Sequence, residues 1–452
     1  MDTVKSFILL ALALTWLLAG CGGPGVVSQQ PTATPTPIRS PIVPQAPEAV
    51  TVAVVTFLTG SAAEPFGIPA RNGAQVIIDA LNAGDAPPPY NTPGIGGVPV
   101  QVIYVDEAGG AEKQVQELRR LYADPQVDLV IGYISSGDCL AAAPVAEELK
   151  KLLVVFDCGT SRLFEERSYR YVFRTNAHQA IDSISGARYL LSERPDAWRV
   201  AGINQNYAWG QDSWAHFRDA LYQLDSRIQI VSEQFPKLGA GDYAAELDMI
   251  QVSGAQVIHT SFWGQDLNAL FTQANAQGTF ESSNLLLSVG EYALPELGQR
   301  VPDGTMVGAH GPHGVLAPPG ALNDWLNRIY RQQYGARPVY PVYHMAQALL
   351  GVKSAYEKAA QAAGVWPDQA QVIEAFEHLV YPSPSGEIQL ALGQGHQAVE
   401  PAVYGTASGY DAKTGEVRLD KIVVYPAGCV NPPQGASTEQ WIKDGFPGND
   451  CP

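Results

Sequence analysis

Positive charge is scarce in this chain: 28 Lys and Arg stand against 45 Asp and Glu, a net charge of −17. Nucleic-acid phosphates demand a basic surplus, so this balance argues against a nucleic-acid partner. Long apolar runs are lacking as well, the stretch from Phe7 to Leu18 being too short for a comfortable membrane span. There is no Gly-x-Ser-x-Gly elbow and no Gly-x-x-x-x-Gly-Lys-Ser/Thr loop, and the Gly94-Ile-Gly-Gly segment precedes a strand instead of following one. Hydrolysis and nucleotide chemistry therefore lose their usual marks, and with only eight histidines a triad assembled from distant residues carries little weight. Five cysteines occur with no Cys-x-x-Cys spacing, which argues against zinc. No cofactor, no metal and no enzymatic activity are expected.

What is present begins with an export signal. Lys5 supplies a basic start, Phe7 to Leu18 an apolar stretch, and Leu18-Ala19-Gly20-Cys21 a small-residue close. A cysteine in that position resembles the lipoprotein processing box, which implies cleavage before Cys21 and acylation of its thiol; an ordinary signal peptide with a spare cysteine is the alternative. Residues 22–48, rich in Pro and Thr, form a polyproline-prone linker that cannot build a core. The expected product is a globular body anchored by lipid to the outer side of a membrane. Four cysteines remain, and three pairings are open to them. Cys139 and Cys158 fall after adjacent strands and could meet as Cys139–Cys158; Cys429–Cys451 would then staple the Pro- and Gly-rich tail.

The body alternates between two periods. Val127 to Ile131 and Leu152 to Phe156 read as buried parallel strands, with a helix from about Gly137 to Lys150 between them. Strand and helix segments continue on both sides, from Thr51 to Tyr122 and again from Ala180 to Val289. The fold class is α/β: two doubly wound parallel-sheet lobes joined by a multi-strand hinge. A less regular remainder suggests that the chain returns to finish both lobes. The expected division is 49–173 with 305–382 for lobe 1, and 174–304 with 383–452 for lobe 2.

In open α/β sheets ligands bind at the carboxyl ends of the strands. Ser135 and Ser136 open a helix there, where free N–H groups and a positive dipole suit an anion. Gly159-Thr160-Ser161 ends the neighbouring strand.

From about Val50 to Pro426 the chain resembles the branched-chain amino-acid binding family, the type I periplasmic solute receptors of ABC importers. The resemblance is carried by Thr59-Gly-Ser, Phe66-Gly67, Asn72-Gly73-Ala74, Gly132-Tyr-Ile-Ser-Ser-Gly, Phe173-Arg174, Asn206-Tyr207-Ala-Trp-Gly210, Gly241-Asp242-Tyr243 and Gly290-Glu291, in that order. It implies a hinged receptor that closes on a small polar solute, most readily an amino acid, and delivers it to ABC permease subunits. It further implies that Ser135, Ser136 and Thr160 hold the solute's carboxylate while Glu291 and the Tyr207 region meet its ammonium; Ser161, beside Thr160 at the strand end, is a further candidate to line the site. Phe66, Trp209 and Trp263 would supply aromatic cover. Asp138 inside the anion turn departs from the pattern; if it faces the cleft, an amide or urea becomes the alternative solute. A sensory module presenting its closed form to a separate partner is the other alternative. His310 and His313 have spacing that could hold a metal, but without acidic or thiolate neighbours in sequence they read as loop residues.

Overall fold

The computed structural model describes residues 45–451. The expected signal, Cys21 and most of the linker lie outside the described residues. Five strands open the body: β1 (Val50–Thr56), β2 (Val100–Asp106), β3 (Leu129–Gly132), β4 (Leu153–Val155) and β5 (Val172–Arg174). Five more follow: β6 (Arg199–Ile203), β7 (Gln229–Gln234), β8 (Val257–Thr260), β9 (Asn284–Leu287) and β10 (Met306–Gly308). Last come β11 (Val380–Ser383), β12 (Gly386–Leu392), β13 (Gln397–Val399), β14 (Ala402–Asp411) and β15 (Glu416–Tyr425). They assemble into two sheets, one of eight strands in the order β11-β12-β13-β5-β4-β3-β1-β2, and one of seven in the order β15-β14-β10-β9-β8-β6-β7.

Both sheets are parallel over their first five strands, and helices cover both faces of each. In β1, Val52 and Val54 join one core with the helices Ile68–Ala83 and Tyr340–Ala363, while Ala53 and Val55 join another with the helices Ala111–Ala123 and Ser136–Leu149. Alternate residues point to opposite faces, so a strand buried on both sides must be apolar throughout. That is why Val50 to Thr56 shows no polar alternation.

The chain crosses between lobes three times: after β5, after β10, and between β13 and β14. The sequence-based boundaries at 305 and 383 therefore shift. Strand β10 pairs with β9 and β14 and so belongs to the second lobe, whereas β11 to β13 extend the first sheet, Gln397 pairing with Arg174. Both corrections have one cause: β10 and β13, three residues each, take their place from long-range partners rather than from local pattern. The tail returns to lobe 2, where Trp441 is buried in a core with Trp214 and Phe217, and the pairs Cys139–Cys158 and Cys429–Cys451 are bonded.

Candidate ligand-binding cleft

Between the lobes lies a cavity of about 300 Å³. Its lobe 1 wall is built on strand ends. Ser135 caps the helix Ser136–Leu149, its Oγ accepting from the Asp138 N–H at 3.4 Å, and Ser135, Ser136 and Asp138 all line the cavity. Glu107, just past β2 and fully buried, accepts the N–H groups of Ile134 (2.9 Å) and Ser135 (2.7 Å). A carboxyl group of the protein thus occupies the two amides that lead into the seat expected for a solute carboxylate. Burial, then the nearby Asp138, pushes the Glu107 carboxyl well above the usual range. Burial also pushes Asp138 up, to about 6.

The segment after β4 keeps the strand's alternation. Asp157 and Gly159 face the cavity, whereas Cys158 turns to Cys139 and Thr160 turns away. Thr160 is 0% exposed and donates its hydroxyl to Asp212 at 2.7 Å; Arg162 also grips Asp212. Asp212 sits on the helix Ala208–Leu224 of lobe 2, so Thr160 fastens one lobe to the other rather than lining the cleft. Ser161 is buried beside it and lies outside the cavity wall. The assignment of Thr160 and Ser161 to the solute is corrected on this parity.

Glu291 is corrected as well. It follows β9 as expected, but its carboxylate is buried between His313 (Nε2 at 2.5 Å) and Arg337 (2.9 Å), outside the cavity. Burial raises its pKa, yet His313 and the Arg337 guanidinium beside it outweigh burial and bring it down to about 2. A group so neutralised has no charge to offer a solute ammonium. His313 is thereby explained as the partner of Glu291 and not as a metal ligand.

The aromatic residues converge. Phe66 meets Trp263 at a ring separation of 5.6 Å and Tyr340 at 5.7 Å. Trp263 donates its indole N–H to the Tyr207 hydroxyl at 2.7 Å, and Trp209 donates to the Ser261 carbonyl at 3.0 Å. Gly159 is required here, because a Cβ would strike the Trp209 ring packed on it from lobe 2. Phe66, Tyr207, Trp209 and Trp263 all line the cavity.

At the back of the cleft is a polar group of which the sequence singled out only His310, expected as a loop residue. His344 Nδ1 meets Asp157 Oδ1 at 2.5 Å, His310 Nδ1 meets Asp182 at 2.6 Å, and Glu400 accepts from Gln347 (2.6 Å) and the Ala177 N–H (2.8 Å). Burial opposes a charge on His310, but the Asp182 carboxylate outweighs it and raises the imidazole's pKa. Donor atoms of Asp157, His310 and His344 lie within 4.8 Å of one another, a spacing compatible with a metal. Both imidazoles are nevertheless already hydrogen-bonded to carboxyl groups, which accounts for the cluster as a paired hydrogen-bond network. The sequence signals for it were Asp157 at even spacing from β4 and His310, expected only as a loop residue.

Similarity to known proteins agrees with this geometry. The structure resembles a solute-binding protein of an ABC transporter from R. palustris in complex with benzoate (15% identity, TM-score 0.70, covering 84% of this chain and 97% of that one). It also resembles an amino acid ABC transporter substrate-binding protein from Pseudomonas fluorescens (20%, TM-score 0.70, 84% and 96%) and a leucine binding protein from Thermotoga maritima (18%, TM-score 0.69, 83% and 99%). A comparison with curated proteins gives no match. A family model described as periplasmic binding protein matches residues 49–411. On two lobes, three crossings and that match, the chain belongs to the type I periplasmic binding proteins, the extracytoplasmic, non-enzymatic solute receptors of ABC transporters.

Proposed function

We propose that this receptor, anchored through a lipid on Cys21, captures a small nitrogen-bearing solute and delivers it to an ABC permease. Amino acids are the first class to test and amides or ureas the second. The observation that carries this reading is the makeup of the cavity wall. Both lobes contribute, aromatic rings form the sides, and the acidic and basic groups among the described residues are Asp138, Asp157 and His310, with no Lys or Arg. Largely apolar walls with a few polar anchors are what small-molecule sites use. Only interactions stronger in the closed form than in the open one shift the balance toward closure, so a solute touching both walls drives the lobes together.

The carboxyl-facing groups suit ammonium or amide N–H donors, so an amino acid would turn its nitrogen toward Asp138 and Asp157 rather than toward Glu291. Asp138 in the wall is the specific observation favouring the amide or urea alternative. A thermal-shift panel of amino acids, amides, ureas and polyamines tests the reading. A ligand at a hundred times its Kd adds about 2.7 kcal/mol to stability. No stabilisation by any class would refute it.

A further inference from the structure

The charge pattern of the cleft narrows the solute further: this inference rests on the reading of a receptor for a nitrogen-bearing solute and removes the carboxylate-bearing amino acids from that class. The start of the helix Ser136–Leu149 carries roughly half a positive charge. Asp138 stands in its first turn, while Glu107, whose carboxyl burial pushes toward the neutral form, takes the Ile134 and Ser135 amides just before the helix. The guanidinium groups of Arg162 and Arg174 lie outside the cavity wall. Arg162 grips Asp212, and Arg174 donates to the carbonyls of Cys158 (2.9 Å) and Thr160 (2.6 Å). His310, the one basic side chain among the described residues of the wall, is matched by Asp182. A solute carboxylate would meet an acidic wall with no cation among those residues to balance it.

The opposite holds for a cation. Asp157 is 4% exposed, and its Oδ2 has no hydrogen-bond partner among the described residues although Oδ1 is taken by His344. A buried acceptor left without a donor is costly, and a solute N–H would relieve it. Around it stand Phe66, Tyr207, Trp209 and Trp263, whose ring faces attract positive charge.

We infer that the cleft selects organic cations lacking a carboxylate, with an ammonium, amidinium or guanidinium head on Asp138 and Asp157 Oδ2 and an apolar body among the four rings. The selectivity is set by charge. Neutral walls would tolerate an amino acid and its decarboxylated amine alike; these walls penalise the former.

Such a cleft carries a pH signature. Asp138 faces Glu107 and Ser135 within lobe 1, Tyr207 from lobe 2, and the Asp157–His344 and His310–Asp182 pairs along the back. Its carboxyl lies at about 6, so it is ionised at neutral pH and becomes neutral below that point. A bound cation favours the ionised form. Affinity for a cation should therefore fall about tenfold between pH 7.5 and pH 5, as one group titrating near the middle of that range requires.

A matched pair of probes gives the test. Phenethylammonium and L-phenylalanine differ only by the carboxylate; benzamidinium, benzamide and benzoate complete the charge classes. Titration calorimetry on the purified protein, dialysed free of copurified solute, should show a cation binding at least tenfold more tightly than L-phenylalanine or benzoate. Asp138→Asn should lose about tenfold for that cation at pH 7.5 and flatten its pH dependence. If L-phenylalanine, benzamide or benzoate binds more tightly than either cation, or if cation binding ignores both pH and Asp138→Asn, the cation assignment is overturned while the receptor reading stands. Failure of every probe to bind overturns both. The wild-type pH profile keeps the test intact should the variant fold poorly.

Discussion

Replacing Glu291 by Gln separates a structural clamp from a solute anchor. The carboxylate holds His313 from the second crossing and Arg337 near the start of the helix Tyr340–Ala363, so it ties lobe 2 to elements leading into lobe 1. Its pKa is held at about 2 against an ordinary 4.5. Each unit corresponds to about 1.4 kcal/mol, so the ionised form contributes on the order of 3 kcal/mol, the size expected for breaking a buried ion pair. The folded pKa is depressed, so this stability is fully present above about 4.5 and is lost as pH falls toward 2. Urea unfolding at pH 7 should show Glu291→Gln about 3 kcal/mol less stable, with the gap to wild type narrowing below pH 4.5. Solute affinity, measured where both proteins are folded, should change less than threefold. A tenfold loss of affinity with unchanged stability would refute the clamp and restore Glu291 to the solute.

Asp212→Asn weakens the bond from Thr160 and Arg162 across the lobes; solute affinity should fall several-fold although Asp212 touches no cavity surface, and small-angle scattering should show a larger open fraction. Unchanged affinity and scattering would show that the bond does not favour closure. Gly159→Ala places a methyl group against Trp209, so closure should be impaired and titration calorimetry should show weakened binding. Cys429→Ser opens a bridge spanning 22 residues and should cost about 3 kcal/mol in urea unfolding by the loop-entropy relation. Cys21→Ser should release the protein from membranes in cell fractionation, whereas retention would speak against lipid anchoring.

The α/β alternation was legible because strands buried on both faces read as unbroken apolar runs, as in Val50 to Thr56, and the hydroxyl-rich turn at Ser135 was legible because caps are local. Phe66, Tyr207 and Trp263 do reach the cavity. Thr160 failed by one step of strand parity, since a residue's face depends on where the alternation persists past the last hydrogen bond. Glu291 failed for another reason: its neutralising partners are 22 and 46 residues away, and no local pattern announces them. Glu107 was passed over because the amides it accepts from lie across two strands, 27 and 28 residues on. The lobe boundaries failed where β10 and β13, three residues each, take their sheet from distant neighbours.

Glu400 stands in the last connection between the lobes and binds an amide of the first, Ala177, and a glutamine of lobe 1, Gln347. Gly311 of the remaining connection lies close beside it. A point where all the bridging strands converge is a natural pivot, with displacement growing with distance from it. Opening would barely disturb Glu400 while separating the two rims at Ser61 and Gly264, which approach each other closely in this structure. Spectroscopic reporters belong on those two rims, because a reporter at the pivot would stay silent through the whole cycle of capture and release.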